Sequence, residues 1–219
     1  MQLMKSILYL IKKEITIELR QKYAISGIIL YVFATVFIVY LSLRQVSPML
    51  WNPLFWIIVL FASINALVKS FSQENSDRSL YYYTLAHPTA IIFSKIIYNF
   101  ILLFTLSMLT YGVFSVVAGH PVQDVDLFLL TILLGSLGFS ITLTFISAIA
   151  GKANNGSTLM AIMGFPVVIP ILILLVKLTA TALRLIQDTS NWKDMVSLLA
   201  IDTILLALAF ALFPFLWRD

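Results

Sequence analysis

The chain has 219 residues, of which 61% are hydrophobic and 11% charged, against about 25% charged in a typical soluble domain. This excludes a water-soluble globular domain and places the chain in a lipid bilayer. Cysteine is absent, which excludes disulfides, thiolate ligands and thiol nucleophiles, and the net charge of +4 forms no compact basic surface for nucleic acid.

Residues 1–22 predict an amphipathic helix. Met4, Ile7, Leu8, Ile11, Ile15 and Leu19 fall on one arc at helical spacing, with Lys5, Lys12, Lys13 and Arg20 mostly opposite. Such a helix lies along the inner leaflet. Glu14 and Glu18 interrupt the apolar arc, and Glu18 has Lys22 as an i,i+4 partner. Either these charges are solvated, or Glu14, Glu18 and Arg20 contact a partner subunit. With a basic region longer than twenty residues and no small-residue cleavage site, the first span is expected to be retained as a signal anchor.

A hydrocarbon core of roughly 30 Å takes about 20 helical residues. Charge-free stretches of that length lie between Lys22 and Arg44, Arg44 and Lys69, Lys95 and Asp124, Asp126 and Lys152, and Lys152 and Lys177, and a sixth from about Val196 to Trp217 is interrupted only by Asp202. Period-two alternation of the kind a barrel requires is missing. The expectation is an all-α membrane protein: residues 1–22 as an interfacial helix, and residues 23–219 as a six-helix domain. Lys5, Lys12, Lys13, Arg20, Lys22, Lys69, Arg78, Lys95, Lys152 and Arg218 fall on the N-terminal side, against Arg44, Lys177, Arg184 and Lys193 on the other. The positive-inside rule then puts both termini in the cytoplasm.

The first span (about Tyr23–Leu43) is expected to end in an external loop holding Arg44, Pro48 and Pro53, and the second (about Leu54–Val68) returns inward. Trp51 and Trp56 fit the aromatic headgroup belt, and Asn65 fits an interhelical hydrogen bond. A patterned polar break, FSQENSDRSLYYYTLAHPTAIIFSK, follows at residues 71–95 within a cytoplasmic loop, 69–95. The third and fourth spans (about Ile96–Ala118 and Leu127–Ala150) are joined by a short external turn. On the fourth, Ser136, Ser140, Thr144 and Ala148 recur every four residues, with Gly135 and Gly138 nearby. Small residues so spaced let helices approach closely, and hydroxyls can also line a substrate path.

Pro166 and Pro170 in the fifth span each remove a helical hydrogen bond, so a kink or break is expected there, either plain or as a flexing joint. Residues 177–195 form an external segment whose Leu178, Ala182, Leu185 and Ile186 suggest a short interfacial helix or a partial dip into the membrane. Asp202 then falls about one and a half turns into the last span, where an outer-interface residue is favoured over a buried functional carboxylate.

Catalysis has little to work with. No Gly-x-x-x-x-Gly-Lys-Ser/Thr stretch and no Gly-x-Ser-x-Gly elbow occurs, and the two histidines, His87 and His120, fall on opposite sides, so no metal site is expected. His120 beside Pro121 could be an external haem ligand, but a lone loop histidine is expected to be solvated.

The polar break resembles the loop after the second span of ABC-type exporter permeases, which receives force from a separate ATPase. Glu74, Arg78, Leu80, Leu85, Pro88 and Lys95 match its acidic, basic, leucine-rich, proline and lysine positions, while Tyr81, Tyr82 and Tyr83 depart from it. Lys13-Glu14 with Glu18-x-Arg20, this loop, Leu134-Gly135-x-x-Gly138 and Phe165-Pro166-x-x-x-Pro170 together resemble the CcmB family, haem exporter protein B. The resemblance implies a non-catalytic, multi-pass permease subunit of the bacterial inner membrane, acting in cytochrome c maturation. ATP belongs to a partner ABC ATPase, and haem is the candidate cargo, exported or released on a loaded chaperone. A haem-handling membrane protein is the other implied partner, and a second copy of the chain is a further candidate. Glu74, Arg78, Leu80, Tyr81, Tyr82, Tyr83, Leu85 and Pro88 would form the ATPase-coupling surface. Gly135, Gly138, Ser140, Thr144, Pro166 and Pro170 would serve packing or a path. The competing readings are an ABC permease for a lipid-linked glycan or drug, a partner-free secondary carrier or channel, and a purely structural assembly subunit.

Overall fold

A computed structural model describes residues 2–20, 22–43, 46–68, 87–151, 156–186 and 191–218. Among these, the chain forms seven α-helices in order: α1 (Gln2–Arg20), α2 (Lys22–Leu43), α3 (Pro48–Leu67), α4 (Pro88–Ala118), α5 (Val125–Ala150), α6 (Gly156–Ala182) and α7 (Asn191–Arg218). The six from α2 onward are long and apolar enough to cross a membrane. The fold is therefore the expected all-α membrane architecture, a short helix followed by six spans.

Helix ends follow local chemistry. Pro48 and Pro88 open α3 and α4, where the missing N–H costs nothing. Asp124 caps α5, its side chain accepting from the Leu127 N–H at 3.0 Å. Gly119 ends α4 at φ 89, a left-handed conformation that favours glycine. Boundaries differ from the sequence expectation in three places. Pro48 and Pro53 belong to α3 rather than to a loop. Residues 88–95 form the first two turns of α4, because Pro88 starts a helix instead of extending the polar break. Residues 177–182 prolong α6, where a short interfacial helix or a partial dip into the membrane was expected.

Helix α5 is the hub: it packs against α3, α4, α6 and α7, and 72% of its span is buried, against 11% for α2. Lipid tails give helices no hydrophobic reason to associate, so close van der Waals approach and polar contacts must hold such a bundle together. Gly135 supplies the approach: a Cβ there would stand 2.9 Å from both Trp56 and Leu175, on α3 and α6. The aromatic core is centred on Trp51, which stacks on Phe55 and Phe114 at centroid distances of 5.3 and 5.1 Å. Trp51 and Trp56 are fully buried, which corrects the headgroup-belt expectation. Their rings are turned inward, and Trp56 Nε1 donates to Thr179 Oγ1 at 2.9 Å. A second, smaller core joins Leu10 of α1, Ile92 and Ile96 of α4, Ile141 of α5 and Phe213 of α7.

Candidate functional site

Helix α4 starts directly after the polar segment. Residues 69–86, including Glu74, Arg78, Leu80, Tyr81, Tyr82, Tyr83 and Leu85, lie outside the described residues, and Pro88 is the first residue of α4. At the helix start the His87 ring Nδ1 and Thr89 Oγ1 are 2.7 Å apart. Two turns in, Lys95 is 2% exposed, and its Nζ lies 3.4 Å from Glu14 Oε1 of α1. A buried ammonium costs several kcal/mol unless an opposite charge and hydrogen bonds offset it. Glu14 is 17% exposed and also lies 3.4 Å from Lys13. Ile7, Leu10, Ile11, Glu14 and Ile17 form the half-buried stripe of α1, whereas Leu8, Tyr9 and Ile15 are exposed. The apolar arc is thus divided: one flank packs on the protein, and the other is left for lipid. Glu14 falls in the packing flank, facing Lys95. Glu18 and Arg20 belong to α1, but their side chains lie outside the described set.

From Lys95 the polar contacts continue into α5. Ser140 Oγ donates to the Ile96 carbonyl at 2.6 Å, Asn99 Nδ2 donates to Thr144 Oγ1 at 2.7 Å, and Ser136 and Ser107 hydroxyls approach at 3.5 Å. Ser147 Oγ donates at 3.1 Å to the carbonyl of Leu67, the last residue of α3, which has no partner within its own helix. These hydroxyls are buried and tie α5 to α3 and α4, each contact being worth about 0.6 kcal/mol in a bilayer.

Asp202 differs from the expectation. Helix α7 begins at Asn191, one turn before the expected start of the span, so Asp202 is its twelfth residue and about 16 Å inside. It is 2% exposed, which corrects the outer-interface reading, and neither carboxyl oxygen has a hydrogen-bond partner. It is seated on Gly138 of α5, where a Cβ would stand 2.6 Å from Asp202 Oδ1. One turn further along α5, the buried Thr142 hydroxyl is also without a hydrogen-bond partner.

A family model described as CcmB protein matches residues 5–215, nearly the whole chain. The chain belongs to the CcmB family. It is therefore a membrane component of the haem exporter of cytochrome c maturation, an ABC-type system that includes partner subunits. A search among curated proteins returns no match.

Other residues of this CcmB-family chain fall as follows. Pro166 and Pro170 lie within α6, which runs through both without a break, and both are exposed along with Ile162, Ile169 and Ile173. The freed carbonyls thus fall on the outer face of the bundle. Asn65 is exposed, and the interhelical amides are Asn99 and Asn52, whose Nδ2 donates to the Val176 carbonyl at 2.7 Å. His120 is exposed, with Nε2 2.9 Å from the Tyr111 hydroxyl. At the same end of the bundle Lys177 and Asp194 pair at 2.9 Å, joining the end of α6 to the start of α7. Among the described residues no group of three or more His, Cys, Asp or Glu side chains could hold a metal ion.

Sequence reasoning missed the Lys95–Glu14 contact and favoured the outer interface over burial for Asp202. Both carried a signal: a lysine inside an apolar helix, and acidic residues interrupting apolar faces.

Proposed function

We propose that this chain is the non-catalytic permease subunit that converts movement of a separate ABC ATPase into rearrangement of its six spans. The outcome is haem export, or release of a haem-loaded chaperone, at the outer face of the bacterial inner membrane. The family match over residues 5–215 carries this reading. Force enters at residues 69–86, with Glu74, Arg78, Leu80, Tyr81, Tyr82, Tyr83 and Leu85 as the docking surface. The distribution of Lys and Arg supports a cytoplasmic position for this segment and for both termini. A push on the segment would reach Pro88, the first residue of a single 31-residue helix. Glu14 on Lys95 would carry the same displacement to α1, and Ser140, Asn99 and Thr144 would carry it to α5. Coupling of this kind requires two helix arrangements with different affinities for the partner. ATP stays on the ATPase, haem is the cargo, and a haem-handling membrane protein completes the assembly.

Glu74→Ala and Arg78→Glu are expected to abolish c-type cytochrome formation while the chain remains in the membrane and the ATPase keeps hydrolysing ATP. Normal cytochrome levels in both variants would remove the docking role of this segment.

A further inference from the structure

The outward faces of the bundle differ in what they present to lipid. On α4 and α7 the exposed hydroxyls of Thr105 and Thr203 donate to carbonyls of their own helices, Ile101 at 2.8 Å and Leu199 at 2.7 Å, and need nothing from outside. The face shared by α3 and α6 carries polar groups of another kind. Pro166 and Pro170 have no N–H, which frees the carbonyls of Ile162 and Pro166 within α6. Ile162 is 66% exposed, and both prolines are exposed beside it. On α3, Asn65 is exposed within the apolar run Pro48–Leu67, and its amide has no hydrogen-bond partner among the described residues. Hydrocarbon supplies neither donors nor acceptors, so amides and proline-freed carbonyls in spans are met by a neighbouring helix.

Donor and acceptor stand at one depth. Phe61 and Phe165 meet with ring centroids 5.8 Å apart, which fixes the level of α3 against α6. As the second and fifth of six consecutive spans, these helices cross in opposite directions. Asn65, one turn after Phe61, and Ile162, one turn before Phe165, therefore lie on the same side of that level, each about 5–6 Å from it. Two copies of a chain inserted in the same orientation are related by rotation about the membrane normal, which preserves depth. Their contact is isologous, so a single patch must carry both halves of each bond. This patch does: the amide hydrogens are partially positive and the freed carbonyl oxygens partially negative.

We propose that the α3–α6 face is where a second copy of this chain packs, the Asn65 amide of each copy donating to the Ile162 carbonyl of the other. The Pro166 carbonyl, one turn along the same stripe, is an acceptor for the second N–H of that amide. The half-exposed Phe61–Phe165 pair lies beside these bonds and is covered by the same contact. This pairing is independent of the docking role of residues 69–86, since it is read on the chain itself.

The absence of cysteine makes the test direct. Two differently tagged copies, one carrying Asn65→Cys and the other Ile162→Cys, are produced together with their partner subunits and oxidised in native membranes. A disulfide-linked product bearing both tags is expected, and none is expected from Phe37→Cys with Leu208→Cys, which are exposed on α2 and α7. No doubly tagged product, an equal yield from the control pair, or linkage of Asn65→Cys only to a different chain would each overturn the proposal. If Asn65→Cys fails to accumulate, Phe61→Cys against Phe165→Cys replaces that pair, with the same outcomes. On this second pair, adding Asn65→Leu to both copies is expected to lower the doubly tagged yield several-fold, and an unchanged yield would overturn the role of the amide.

Discussion

Lys95 and Asp202 are the two charged residue types buried inside the described spans, and the protein treats them in opposite ways. Lys95 sits two turns into α4 with Glu14 at 3.4 Å, a contact that ties a surface helix to a span. Asp202 sits near the middle of α7 with both oxygens unpartnered, on a glycine. A paired buried charge fixes two elements together, because separating them leaves each ion without its compensation. An unpaired one favours whichever arrangement rehydrates it. The first is a joint between α1 and α4, and the second is a carboxyl seated on a glycine where α7 meets α5.

The largest expected effect breaks the joint. Glu14→Ala should lower the stability of the detergent-solubilised chain by about 2–3 kcal/mol, less than for a wholly buried pair because Glu14 retains some contact with water. Thermal unfolding reads the loss, and a charge-exchanged double variant, Glu14→Lys with Lys95→Glu, should recover much of it. If the double variant is merely additive, the contact is not an ion pair. Next in size, Gly138→Ala forces a methyl group onto the Asp202 carboxyl and should cost about 1–2 kcal/mol by overpacking. Adding Asp202→Ala should relieve that cost, which a double-mutant cycle measures as favourable coupling.

Smaller still is the effect of removing the unpaired acid alone. Asp202→Leu should leave stability within about 1 kcal/mol of wild type or raise it, since replacing an unsatisfied polar group by an apolar one of similar size is close to neutral. A large loss of stability would mean that the carboxyl has a partner and would erase the contrast with Lys95. Asn99→Ala, which removes one amide-to-hydroxyl contact between α4 and α5, should cost about 0.6 kcal/mol, the average for such bonds in a bilayer. A value several times greater would make that contact part of the joint.

Much of this was legible without coordinates. Five charge-free runs of membrane length, and a sixth interrupted only by Asp202, mark six spans because hydrocarbon tolerates little else. The four-residue spacing of Ser136, Ser140 and Thr144 marks a packing face, because 3.6 residues per turn brings those positions onto one side. The facing directions of Trp51, Trp56 and Asn65 were less accessible. In a helix that is apolar all round, no hydrophobic pattern separates the lipid side from the protein side. Both tryptophans face inward, and Asn65 faces outward. Asp202 was placed too shallow because the charged residues Lys193 and Asp194 suggested a loop, while the structure uses them in the first turn of α7.

The sequence by itself determined the membrane class, the number of spans and the family, all of which depend on local composition and on motifs read along the chain. Tertiary structure decided which charges meet. Glu14 and Lys95 are eighty-one positions apart in the numbering and 3.4 Å apart in space, and Gly138 and Asp202 come together only because α5 and α7 pack side by side. Helix-to-helix contact depends on small residues and shape across the bundle, a property of pairs of helices that no single helix displays in its own sequence.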